Sequence, residues 1–291
     1  MKVIKYFIES IIIYIFFIII KLFGLKLSRL IFSKIFITLG PFLKSKDVIN
    51  NNLYKIDKQL SESEKKKIIY SMWSSYGKTF VEYLFLKKFR SSDSYSSFTK
   101  IKGQNYLDEI KIKNKPVIFV SGHFSNFELM SMHITKQKIS LAVIYRPLNN
   151  IFLNTFIKKI RKKHVCRKQI KKGFHGIRHI INSLKGKTSI ALMIDQRLTE
   201  GEKLPFFNHN ASTTTLPAQL ALRFKCQIVP IYIKRDKNNN FEIEIYKPID
   251  TSKIENTTQN KIQISLELNK IIEKMILKDP SQWILTHNRW K

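Results

Sequence analysis

From residue 117 onward the chain alternates short apolar runs with longer stretches of helical period, and this alternation restricts the fold more than any other feature. Residues 117–121, 141–145, 189–194, 228–233 and 241–246 read as strands, and the first four are apolar runs suited to burial on both faces. Between them, residues 126–138, 149–163, 176–184 and 216–224 read as helices. Strand, helix, strand, helix predicts an α/β domain with a largely parallel central sheet. Such sheets bind ligands beyond the carboxyl ends of their strands. His123, Arg146 and Asp195 each fall at such an end, so three polar residues far apart in sequence are predicted on one rim.

The richest of these ends is Gly122-His-Phe-Ser-Asn-Phe-Glu128, where a histidine leaves the first strand and a carboxylate follows five positions later. A helix starting near Ser125 would let Glu128 reach back to the imidazole, orient it and support its positive charge. Such a dyad can take a proton from a hydroxyl that attacks an acyl carbon. The same residues also match a capping box, Ser125-x-x-Glu128, in which the glutamate is purely structural. A histidine with only a structural part would not need a matching Arg and Asp at neighbouring strand ends.

At the other terminus, residues 3–25 are strongly apolar and close to the roughly 20 residues that span a bilayer. No small-residue cleavage site follows in Lys21-Leu-Phe-Gly-Leu-Lys26, so the segment is expected to be retained. Residues 27–43 are apolar but broken by Arg29, Lys34 and Gly40-Pro41, which suits an interfacial helix. The expected organisation is an anchor over residues 1–26 and one domain over 27–291. Lys21, Lys26, Arg29, Lys34, Lys44 and Lys46 follow the apolar run and only Lys2 and Lys5 precede it, which puts the body on the cytoplasmic side.

The charge supports an anionic partner. Lys and Arg number 52 against 21 Asp and Glu, a formal +31, which repels itself unless nucleic acid, an anionic membrane or an acidic carrier protein is at hand. The Lys excess accompanies abundant Ile and Asn, a pattern that a compositional bias of the source genome would also produce, so charge alone does not choose. Residues 158–178 hold ten Lys or Arg and no acid, a solvated basic face or a site for phosphate groups. Cys166 and Cys226 show no paired spacing, and a reducing compartment is expected. His175 and His179 lie four apart without a third ligand, so no metal site is expected. Residues 61–88 read as one helix opened by Ser61-x-x-Glu64, and 91–97 as a polar loop.

Several blocks in order resemble the late acyltransferases of lipid A biosynthesis, the lauroyl and myristoyl transferases acting on the Kdo-modified lipid A precursor. They are Gly122-His-Phe-Ser-Asn-Phe-Glu128, Tyr145-Arg-Pro-Leu148, Ile194-Asp-Gln196, Pro205-Phe-Phe207 with Ala211-Ser-Thr-Thr-Thr-Leu-Pro-Ala-Gln-Leu-Ala221, Val229-Pro230, and Gln282-Trp-Ile-Leu-Thr-His-Asn-Arg-Trp-Lys291. The resemblance runs from about Gly122 to Lys291. It implies a fold like that of glycerol-phosphate acyltransferases, an αβ sandwich with an N-terminal membrane helix at the cell inner membrane. It implies an H-x4-D/E pair, here His123 and Glu128. No cofactor is implied; the co-substrate is a thioester on acyl carrier protein, and the acceptor a hydroxyl of an anionic, phosphorylated disaccharide lipid.

On that reading His123 deprotonates the acceptor and Glu128 holds the imidazole. No acyl-enzyme is needed, because a thioester is already activated. The oxyanion needs donors, and the backbone amides near Asn126 and the Arg146 side chain are candidates. By resemblance, Arg161 meets a phosphate, a Kdo carboxylate or a carrier group, Asp195 and Gln196 order the site, and Arg289 docks the tail. Two positions depart from the family: Asn208-His-Asn210 stands where a glycine usually follows the Phe-Phe pair, and His164 where a glycine often follows the basic helix. These departures bear on substrate preference. Competing functions are acyl transfer to another glycolipid or phospholipid acceptor, a membrane-tethered nucleic-acid-binding protein and a non-catalytic scaffold. The second has no RNP, KH, helix-turn-helix or zinc-finger signature behind it, so no nucleic-acid partner is expected.

Overall fold

The computed structural model describes residues 2–91 and 97–291. Most of the 91–97 segment, expected as a polar loop, lies outside the described residues. In chain order the helices are α1 (Lys2–Leu43), α2 (Lys46–Ile56), α3 (Glu62–Glu82), α4 (Leu86–Arg90), α5 (Gln104–Lys113), α6 (Glu128–Lys136), α7 (Ile151–His164), α8 (Phe174–Lys185), α9 (Leu216–Phe224) and α10 (Thr258–Lys278). The strands are β1 (Thr99–Lys102), β2 (Ile118–Ser121), β3 (Leu141–Tyr145), β4 (Lys168–Lys171), β5 (Ser189–Met193), β6 (Glu202–Phe206), β7 (His209–Thr213), β8 (Ile228–Arg235) and β9 (Phe241–Ile245).

Seven strands form one sheet in the order β1-β9-β8-β2-β5-β3-β4. β8 and β9 pair antiparallel; every other pair in the sheet is parallel. The largely parallel αβ sandwich expected from the alternation is therefore present. Successive side chains of a strand point to opposite faces, and β2 divides accordingly. Ile118 and Val120 join a core with Ile180, Leu184, Ala218 and Leu268, whereas Val117 and Phe119 join one with Phe32, Val81, Leu129 and Met132. Each of the larger of these side chains, fully buried, contributes roughly 1.5–3 kcal/mol.

The order β2-β5-β3 places three carboxyl ends side by side, so His123, Asp195 and Arg146 follow adjacent strands. β6 and β7 form a separate hairpin. Its turn holds Phe207 and Asn208 at φ of 50° and 57°, the left-handed values that a two-residue hairpin turn requires. Asparagine at 208 tolerates this conformation better than most residues.

Two expectations need correction, the unbroken 61–88 helix and the interfacial place of Arg29. The 61–88 helix is not continuous: α3 ends at Glu82, a tighter 3-10 turn covers Tyr83–Phe85, and α4 follows. The interruption in the long N-terminal helix comes at Gly24, with φ 70° and ψ 178°, a conformation open to glycine and strained for other residues. Arg29 does not face an interface but is buried against Glu82, Nη2 to Oε1 at 2.7 Å. It therefore adds nothing to the outward charge of that segment.

Among the described residues α1 is the one helix long and apolar enough to cross a membrane. One side is tied to α7: Ser10 Oγ meets Asn150 Oδ1 at 3.0 Å, the Tyr14 hydroxyl donates to the Phe152 carbonyl, and Phe17 stacks on Phe156. Ile4, Ile8, Ile11, Ile15, Ile18 and Leu22, spaced by three or four, are exposed and form an apolar stripe. After Gly24 the helix crosses α3 closely, since a Cβ on Gly77 would sit 2.2 Å from the Phe32 carbonyl oxygen.

Candidate active site

β2 ends at Ser121, and Gly122 carries the chain over the sheet edge to His123. The imidazole Nδ1 lies 2.8 Å from Asp195 Oδ1, and the His123 backbone N–H donates to Asp195 Oδ2 at 2.8 Å. The Trp283 indole donates to the same Oδ2 at 2.8 Å. Burial alone would push the Asp195 carboxyl up, but the neighbouring imidazole and these three hydrogen bonds hold it below the usual carboxylate range. An ionised Asp195 fixes the proton of neutral His123 on Nδ1, which leaves Nε2 with its lone pair. Nε2 makes no hydrogen bond to the described residues, and His123 lines a cavity of about 310 Å³.

Glu128 is placed differently. Its carboxylate accepts from Arg161 Nε at 2.6 Å, pairs with Nη2 at 2.6 Å and takes a short hydrogen bond from the Tyr83 hydroxyl. Arg161 Nη2 also donates to the Tyr83 oxygen at 3.0 Å. Burial would lower the Arg161 pKa, yet Glu128 and Tyr83 raise it above the ordinary arginine value. Burial and Glu128 push the Tyr83 phenol up as well. The expected contact between Glu128 and the imidazole is therefore not made, and Asp195 occupies that place. The reason is local. The helix starts at Glu128 rather than Ser125, Ser125 takes φ 44°, and the Phe127 ring stands edge-on against the imidazole at 4.9 Å. The alternative capping box is not formed either: the Ser125 hydroxyl has no partner among the described residues.

The remaining candidates divide. Arg146 and Gln196 line the cavity together with His123, Glu128 and Arg161. Arg161 is committed to Glu128, so it is not a free cation awaiting a phosphate, carboxylate or carrier group. Asn126 is buried and donates to Glu82 Oε2 at 3.0 Å. The same carboxylate receives Arg29 and Arg235, so a buried charge cluster fixes the loop between His123 and Glu128. Arg289 is buried away from the cavity, where it donates to the Ser212 carbonyl and the Thr213 hydroxyl. Burial pushes its pKa down to about 10. Cys166 and Cys226 are buried, and burial pushes both thiols up to about 11, unlike an activated nucleophile.

Sequence reasoning missed Tyr83 and Trp283. Tyr83 lies within the stretch read as one continuous helix, and it is in the tighter turn at 83–85 that its hydroxyl meets Glu128. Trp283 stands in the C-terminal block already singled out, beside the isolated bridge between Phe124 and Trp283.

The family model for bacterial lipid A biosynthesis acyltransferases matches residues 1–291. The chain belongs to this family. It is 26% identical over 255 residues to a lipid A biosynthesis palmitoleoyltransferase of Escherichia coli (strain K12), covering 86% of this chain and 80% of that one. It is 24% identical to a lipid A biosynthesis acyltransferase of Haemophilus influenzae, covering 84% and 76%. To a lipid A biosynthesis lauroyltransferase of the same E. coli strain it is 22% identical, covering 84% and 78%. The protein is thus an acyltransferase, and the rim at the ends of β2, β5 and β3 is where its polar residues converge.

Proposed function

We propose that the protein transfers a fatty acyl chain from an acyl-carrier-protein thioester to a hydroxyl of a lipid A precursor, with His123 as general base. The Nδ1 contact of His123 with buried, ionised Asp195 carries this reading, because it leaves Nε2 free to accept a proton in a cavity. The acceptor O–H gives its proton to Nε2 as its oxygen bonds to the thioester carbonyl carbon. Asp195 stabilises the imidazolium that forms. The tetrahedral intermediate collapses, the C–S bond breaks, and the imidazolium returns the proton to the leaving thiolate. Arg146, exposed on the cavity, is placed to offset the developing oxyanion charge. Glu128 and Tyr83 hold Arg161 in the cavity wall, so Glu128 acts on the site through Arg161 rather than through the imidazole.

The same reading places the protein at the inner membrane with its body on the cytoplasmic side. The exposed stripe of α1 enters hydrocarbon while its opposite side stays on α7. The test is a transfer assay with the full-length protein, an acyl-carrier-protein thioester and a phosphorylated disaccharide lipid acceptor, read by mass spectrometry. The expected product carries one added acyl ester and is lost in His123→Ala. Transfer only to a glycerophospholipid acceptor, or undiminished transfer by His123→Ala, would contradict the reading.

A further inference from the structure

A second and larger cavity, about 850 Å³, opens between β4, α7 and α8. It meets the His123 cavity at Tyr145, Gln169 and Lys172, which line both. Lys158 and Lys162 reach it from the outward face of α7, and Arg167, Lys171 and Lys172 from around β4; no carboxylate lines it. None of these five side chains has a hydrogen bond or ion pair to the described residues, whereas nearby Lys168 is tied to Thr188. A shallower groove continues the positive surface along α7 through Lys159 and Lys163. Unpaired cations gathered round one concavity repel one another, and a bound anion relieves that cost. Burial and neighbouring Arg146 already lower the Lys172 pKa.

The surroundings identify the anion's chemistry. Phe174, 87% exposed, and Ile177 stand on the first turn of α8, so apolar side chains flank the charge. α7 also bears the exposed apolar helix α1 on another side. A hollow rather than a flat face suits a compact group with several charges better than the surface of a folded protein. We propose that this cavity binds the phosphate-bearing headgroup of the acceptor lipid, whose acyl hydroxyl reaches His123 past Tyr145, Gln169 and Lys172. This rests on the lipid-acceptor reading above.

The test uses full-length protein and the variant Lys162→Gln/Arg167→Gln/Lys171→Gln, whose three side chains are exposed and support no internal contact. Binding is measured to nanodiscs carrying the phosphorylated disaccharide lipid or its dephosphorylated form, alongside KM for acceptor and for acyl-carrier-protein donor. At about a tenfold or smaller loss per surface cation, the variant should bind the phosphorylated lipid about 100-fold more weakly. Its acceptor KM should rise while donor KM stays put, and the two proteins should bind the dephosphorylated lipid alike. A rise in donor KM instead would assign the cavity to the carrier protein and overturn the proposal, as would equal binding by both proteins. If the wild type transfers no acyl group yet binds the phosphorylated lipid through these cations, the transfer reading fails and the headgroup site stands.

Discussion

Two segments of the chain share the pattern Ser-x-x-Glu, and they end differently. Ser61 takes φ −64° and ψ 157°, caps α3 and receives the Glu64 N–H, while Glu64 accepts from the Ser61 N–H at 2.9 Å. Ser125 takes a left-handed φ, caps nothing, and leaves Glu128 to Arg161 and Tyr83. The first pair is exposed and has only its own helix end to satisfy. The second is next to a partly buried arginine that needs a counter-charge, and a desolvated charge left unpaired costs more than a missing cap. Local pattern decides where water surrounds the residues; tertiary charge decides where it does not.

The sharpest way to break this comparison is at His123 itself. His123→Ala should lower the transfer rate by about 10³-fold, within the range for loss of a positioned base, with circular dichroism unchanged; Ser61→Ala should leave the rate alone. Next in size, Glu128→Ala strands the Arg161 guanidinium and should destabilise by about 3–5 kcal/mol in denaturant unfolding. Restoration of stability by the added change Arg161→Met would show that the stranded charge was the cause.

A pH series should separate the buried α6 from the exposed first turn of α3. Burial holds the His133 imidazole on α6 down at about 4, below its ordinary value of about 6.5. The unfolded chain then binds more protons between those values, so stability should fall as pH drops from about 6.5 to 4 and flatten below. In His133→Gln this fall should shrink. Ser61→Ala should cost about 1 kcal/mol near neutral pH, and less in acid, because the Ser61 hydroxyl helps hold the Glu64 carboxyl below its usual range. Smallest of all, Ser125→Gly relieves the left-handed backbone and should change stability by less than about 1 kcal/mol, toward stabilisation.

The sheet was legible because its central strands are buried on both faces: β2 and β5 follow the apolar runs within a residue or two. β4 was not, since Lys168-Gln-Ile-Lys171 lies at the sheet edge and buries only Ile170. The short polar β1 and the exposed β6 strand escaped for the same reason. In the site, the convergence of His123, Arg146 and Asp195 followed from strand order alone. What sequence spacing did not disclose is which carboxylate meets the imidazole. Asp195 lies 72 positions from His123, and a partner at that separation comes from β2 and β5 being neighbours in the sheet, not from any local period.

The pairing of His123 with Asp195 is tested most directly by the single-turnover transfer rate of Asp195→Asn beside that of Glu128→Gln, both checked for thermal unfolding. With the amide unable to stabilise the imidazolium or fix the Nδ1 proton, Asp195→Asn should lose about 10³–10⁴-fold, and Glu128→Gln considerably less. Near wild-type transfer by a folded Asp195→Asn, with transfer abolished in a folded Glu128→Gln, would show that the glutamate serves the base after all.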